Sequence, residues 1–110
     1  MKRIAFVFAF LWLVGIVGAQ TDDDVIVTPQ DLADDNGAFT VVDGAEIYYV
    51  TEGDPSNPAV VMIHGFGGST FTWRDNMGAI AETGYYAVAL DLPPFGLSDK
   101  SIDLDYSRSG

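Results

Sequence analysis

The stretch Ala59-Val60-Val61-Met62-Ile63-His64-Gly65-Phe66-Gly67-Gly68-Ser69 constrains the fold more than any other part of the chain. Five apolar residues run without a polar break into His-Gly and then into a glycine-rich turn. An apolar run this short, rich in β-branched residues, predicts a strand buried on both faces. Glycines directly after it let the backbone turn sharply and bring bare N–H groups close to a ligand. In a sheet covered by helices, ligands sit beyond the carboxyl ends of the strands. The turn is therefore the leading candidate for a site.

A second apolar run, Tyr85 to Leu90, predicts another buried strand, and the residues between the two runs predict a helix. Trp73, Met77, Ile80 and Ala81 share one face at helical spacing, while Asp75, Asn76 and Glu82 fall elsewhere. Thr72, with Asp75 three residues on, resembles a capping pair, and Gly84 is placed as the C-terminal cap. Strand, helix and strand make a βαβ unit with a right-handed crossover. Both strands then end on the same edge of the sheet. The His64-Gly65 turn and the Asp91-Leu92-Pro93-Pro94-Phe95-Gly96 loop are predicted neighbours. Upstream, Phe39 to Val42 and Glu46 to Val50 flank Asp43-Gly44, a hairpin signature. The turn cluster Gly53 to Pro58 ends the second of these strands. Leu97 to Gly110 reads as a polar loop, with a helix start at Tyr106 to Ser109.

At 110 residues the chain holds at most one domain. Its first part is expected to lie outside that domain. Lys2 and Arg3 precede an apolar run from Ile4 to Val17, and Val17-Gly18-Ala19 supplies small residues before Gln20. This is the three-part pattern of a secretory signal peptide, read over residues 1–19, which makes the protein secreted or periplasmic. An uncleaved membrane anchor is the alternative, although a spanning helix needs about 20 apolar residues. Residues 20–36 are aspartate-rich and form an acidic, exposed lead-in to the domain that begins at residue 37.

Without the leader, Arg74, Lys100 and Arg108 face sixteen acidic residues. Such a charge balance repels phosphate backbones and anionic lipid surfaces, so no nucleic-acid partner is expected, and membrane contact only through an uncleaved leader. The absence of cysteine removes disulfides and thiolate metal sites. The single histidine, with no Asp-x-Asp-x-Asp-Gly loop, leads us to expect no metal and no cofactor.

The turn itself admits three chemistries. His64 is the one imidazole, so a Ser-His-Asp triad within this chain would use it, with Ser69 the nearest downstream hydroxyl. A general base must reach its nucleophile within hydrogen-bond distance, and this spacing does not ensure that. The competing reading makes His64 structural, its ring nitrogens bonding backbone. Second, Gly65-Phe66-Gly67-Gly68-Ser69-Thr70 follows a strand like a dinucleotide fingerprint, with Asp91 as the ribose acid, but Thr70 stands at the third glycine position. Third, the turn presents a backbone N–H to an oxyanion in an acyl-transfer transition state.

The order Asp43-Gly44, Tyr48, Gly53-Asp54, Val60 to Phe66, Trp73 and Asp91-Leu92-Pro93-Pro94-Phe95-Gly96-Leu97-Ser98-Asp99 resembles the N-terminal part of the α/β-hydrolase fold. The similarity covers residues 38–110 and points to the branch of esterases, haloalkane dehalogenases, epoxide hydrolases and C–C bond hydrolases. It implies an α/β fold, an antiparallel hairpin followed by a parallel βαβ unit, as an incomplete portion of the family's sheet. By this resemblance His64 and Gly65 are the oxyanion-loop dipeptide, Gly67 and Gly68 belong to that loop, and the Phe66 backbone N–H is one oxyanion donor. Trp73 has packing as its first role and pocket lining as its second, and Asp91 to Asp99 is chiefly structural. Pro94 stands where glycine is more usual and restricts the local φ.

No G-x-S-x-G nucleophile elbow occurs in the chain. In the family the triad follows in the order nucleophile, acid, histidine, so the nucleophile is expected roughly 25–40 residues beyond Gly110. His64 precedes that elbow and so is not the triad base. The resemblance implies a parent hydrolase acting on ester-like or related small substrates through a covalent intermediate, with serine preferred to aspartate as nucleophile. The 110-residue chain alone is expected to lack triad-dependent activity. A secreted, non-catalytic binding module is the alternative from a different functional class.

Overall fold

The computed structural model describes residues 24–107, and the leader expected over residues 1–19 lies outside the described residues. Strands β1 (Gly37–Val42) and β2 (Ala45–Glu52) form an antiparallel hairpin in which Val42 faces Ala45 and Gly37 faces Val50. Its two-residue connection has positive φ at both Asp43 (49°) and Gly44 (84°). That is the type I′ geometry whose twist matches the flanking strands. Strand β2 runs past the expected Val50, because its second half also pairs antiparallel with β4 (Tyr86–Leu90), from Tyr49 opposite Leu90 to Glu52 opposite Ala87. Strand β3 (Ala59–Ile63) lies parallel to β4 in register, Ala59 against Tyr86 and Ile63 against Leu90. The mixed sheet has the order β1-β2-β4-β3, an antiparallel hairpin joined to a parallel βαβ unit.

One face of this sheet carries the core. Tyr48, Val50, Met62, Ala87 and Ala89 are buried together with Met77 of helix α1 (Met77–Glu82). The two alanines of β4 are fully buried. Their small side chains leave room for the helix layer, and Trp73, Ile80 and Val60 close its margins.

The expectation that the β3 run is buried on both faces fails. Val60 and Met62 point toward the core, but Val61 and Ile63 are 56% and 55% exposed. The cause is position: β3 is the outer strand of the described sheet, and helix α1 covers a single face.

The connection from β3 to β4 also departs from the continuous helix expected from Thr72. It divides into a 3₁₀ turn, Thr70–Trp73, and α1, with Asn76 as the α1 N-cap. The first turn is started by Ser69, whose hydroxyl accepts the Phe71 N–H at 3.3 Å, while the Thr70 N–H is drawn to the Asp91 carboxylate. Thr72 is already inside that turn, so the Thr72–Asp75 capping pair does not form, and Asp75 instead lies 3.4 Å from Arg74. Gly84, with φ of 90°, takes up the left-handed conformation expected at the end of α1.

Residues 24–36 are largely exposed, but their end is tied to the sheet. Ala33 packs on the core, and Asp34 pairs twice with Tyr48, its N–H donating to the phenol at 2.8 Å and its carboxylate accepting from it at 2.9 Å. At the other end Tyr106 and Ser107 are non-helical, and residues 108–110 lie outside the described residues.

Candidate functional site

Parallel pairing of β3 and β4 brings their following loops together, and His64 is where they meet. The imidazole is 5% exposed. Its Nδ1 lies 2.7 Å from the Gly65 carbonyl, and its Nε2 accepts the Leu92 N–H at 3.0 Å. A carbonyl only accepts and a peptide N–H only donates, so these contacts require the Nδ1–H tautomer. Both ring nitrogens are thereby occupied by backbone. Ser69 is equally engaged, accepting from Phe71, so the structure brings no His64–Ser69 catalytic pair together. The Phe95 ring meets the imidazole edge-on at 5.7 Å.

Residues 65–68 form a tight turn closed by the Gly68 N–H on the Gly65 carbonyl at 3.0 Å. Gly67, at its third position, has φ of 73°, the type II conformation that favours glycine. A Cβ at Gly68 would press within 3.1 Å of both the Gly65 oxygen and the His64 Cβ, so the turn needs a bare backbone there. Phe66 occupies the second position. Its ring is 99% exposed and leans on Phe95 at 5.4 Å, and among the described residues its N–H donates to no acceptor. Space beside the turn is open where Cβ atoms on Gly65 and Gly67 would stand.

The second loop is held from inside. Asp91 is 1% exposed, and its two carboxylate oxygens accept the N–H groups of Thr70 at 2.6 Å and Leu97 at 2.7 Å. The carboxylate thus clips the segment after β3 to the loop after β4. At 1% exposure and with both oxygens turned inward to these N–H groups it is out of reach of a ribose, which counts against the dinucleotide reading in which Asp91 served as the sugar-binding acid. Ser98 completes the anchorage, donating its hydroxyl proton to the Asp91 carbonyl at 2.6 Å and accepting the Tyr48 N–H at 2.8 Å. The Asp99 N–H reaches the Glu46 carbonyl at 2.8 Å.

Sequence reasoning named Ser98 and Tyr48 only within the motifs of the resemblance and found neither the Ser98–Tyr48 bond nor the Asp34–Tyr48 pair. The available signal for Ser98 was a small hydroxyl closing the proline- and glycine-containing loop that follows a buried strand. Burial pushes the Tyr48 phenol from its ordinary 10.0 up to about 12. Trp73 packs against the core, and its buried indole N–H has no acceptor among the described residues. A hollow of about 710 Å³ is bordered by Val42, Ile47, Leu90, Leu92, Pro93 and Tyr106. Among the described residues no three His, Cys, Asp or Glu side chains gather as a metal site.

No family model matches the chain. Individual proteins do. An uncharacterized hydrolase, YugF of Bacillus subtilis, is 41% identical over 69 residues, covering 63% of this chain and 24% of its own length. Bifunctional epoxide hydrolase 2 of Rattus norvegicus is 32% identical over 78 residues, covering 71% of this chain and 13% of its own. Among solved structures, a bacterial membrane phospholipase A superposes with a TM-score of 0.60 at 38% identity, over 64% of this chain and 22% of that one. Epoxide hydrolase A of Mycobacterium thermoresistibile gives 0.58 at 27% identity, over 60% and 21%. The chain thus spans about a quarter or less of the proteins it matches. With the hairpin, the parallel βαβ unit and the two loop motifs in one frame, the chain has the fold of an N-terminal portion of the α/β-hydrolase sheet, the fold it shares with the proteins it matches.

Proposed function

We propose that this segment serves a hydrolase acting on ester-like or related small substrates through a covalent intermediate, with the Phe66 N–H as one donor of its oxyanion hole. The observation that carries the reading is that N–H itself. It sits just past the carboxyl end of β3, beside the loop after β4, and has no acceptor among the described residues. A fixed backbone donor at such a place stabilises negative charge as it develops on a substrate oxygen, and losing one such donor costs about 3–4 kcal/mol. The hydrolase, phospholipase and epoxide hydrolase names among the similar proteins support a chemistry in which an electrophilic carbon is attacked and charge builds on oxygen. The second donor and the triad are assigned to sequence beyond residue 110, with serine as the nucleophile. The protein is exported by a leader removed after Ala19, so the mature chain begins at Gln20 and N-terminal sequencing reads it directly.

Proline at position 66 tests the donor cleanly. The second position of a type II turn accommodates proline, so Phe66→Pro removes the N–H while suiting the turn. Phe66→Ala removes the same ring but keeps the N–H. In the complete protein, with 4-nitrophenyl butyrate as probe, kcat for Phe66→Pro is expected to fall about 100- to 1,000-fold below that of Phe66→Ala. Equal kcat for the two variants would sink the proposal.

A further inference from the structure

We propose that His64 is a positioning residue that locks the Gly65–Phe66 peptide plane and so aims the Phe66 N–H. The inference rests on the oxyanion reading above and adds the device that fixes the donor. In a trans peptide the carbonyl oxygen and the following N–H lie on opposite sides of one rigid plane, so holding one end directs the other. Here the Gly65 oxygen is held by two donors at once, the His64 Nδ1–H at 2.7 Å and the Gly68 N–H at 3.0 Å. With two donors on the carbonyl, flipping this plane would break both bonds. The same two bonds polarise the peptide and make its N–H a stronger donor.

The imidazole is itself braced. Leu92, at the start of the loop after β4, donates to Nε2 at 3.0 Å, and Phe95 closes against the ring edge. A chain of contacts therefore runs from the β4 loop, through both nitrogens of one ring, to the peptide whose N–H has no acceptor among the described residues. Gly68 belongs to the same device, because a side chain there would crowd both the ring and the Gly65 oxygen.

The two ends of the ring can be tested separately. Asparagine places its amide N–H near the position of Nδ1, so His64→Asn keeps the donor to Gly65 and loses the acceptor for Leu92. Glutamine reaches the position of Nε2, so His64→Gln keeps an acceptor for Leu92 and loses the donor to Gly65. In the complete protein, assayed with 4-nitrophenyl butyrate, kcat for His64→Gln is expected to lie about 10- to 100-fold below that of His64→Asn, with KM similar in the two. A histidine that merely tied the two loops together would give the reverse order or equal values, and either result overturns the proposal.

Ring ¹⁵N shifts supply a readout that needs no turnover, with the His64 signals identified by their loss in His64→Gln. The Nδ1–H tautomer is expected, and the Nε2–H tautomer overturns the proposal. If Phe66→Pro matches Phe66→Ala in kcat, the oxyanion reading is what fails. If Phe66→Pro is impaired and the His64 order is reversed, the reading stands and the positioning role falls.

Discussion

The Asp91 carboxylate fills the space that a side chain on Gly96 would need: a Cβ built there collides with both carboxylate oxygens. Gly96 also has φ of 56°, so an alanine faces backbone strain and a buried charged group together. Gly96→Ala is expected to destabilise the protein by more than about 3 kcal/mol, as overpacking and strain combine. Urea denaturation of the complete protein checks this, and an unchanged midpoint would contradict the arrangement described for the loop.

Asp91→Asn keeps the shape of the side chain but turns one of its acceptors into an NH₂ group. That group must then face the N–H of either Thr70 or Leu97. A lost charge-assisted bond at a buried site predicts a cost of about 2–3 kcal/mol, read in the same denaturation experiment.

Tyr48 gives the protein an alkaline limit. Its phenol is raised from 10.0 to about 12, so the folded state favours the neutral form more than the unfolded state does. The stability contributed by this group is complete below pH 10 and is lost as pH rises through about 12. Tyr48→Phe is expected to cost about 1–2 kcal/mol at neutral pH, because Asp34 loses its partner, and to flatten the decline between pH 10 and 12. A decline of the same steepness in the variant would locate the alkaline transition elsewhere.

The isolated 110-residue chain is expected to turn over no activated aryl ester. Both nitrogens of its one histidine are engaged by backbone, and the Ser69 hydroxyl, which accepts from Phe71, is not hydrogen-bonded to that histidine. Turnover that vanished in Ser69→Ala or His64→Ala would show that the chain holds a working nucleophile after all.

The sheet was legible because its signals were local or periodic. Asp43-Gly44 fixed the hairpin register, and the two apolar runs flanking an amphipathic stretch fixed the parallel crossover, which placed His64 beside the Asp91 loop. What escaped depends on contacts that no spacing encodes. The helix expected from Thr72 is split into a 3₁₀ turn capped by Ser69 and a helix that begins only at Met77, and the Thr70 N–H in that turn is held by a carboxylate 21 residues away. The exposure of Val61 and Ile63 follows from the outer position of β3 and from a helix on one face only, and an apolar run reads the same whether one face or both are covered. Ser98 and Tyr48 are fifty residues apart, and nothing near either one announces the other.

That separation sets an order of events during synthesis. The hairpin closes across two adjacent residues, whereas His64 waits for Leu92, 28 residues further on, before its second nitrogen finds a partner. At a translation rate of about 5–20 residues per second, the interval lasts a few seconds. Throughout it the Gly65–Phe66 peptide has its neighbour's imidazole but no brace from β4. A chain halted in this window therefore has β1 to set beside β2, but neither the β4 side of β2 nor the second brace on His64.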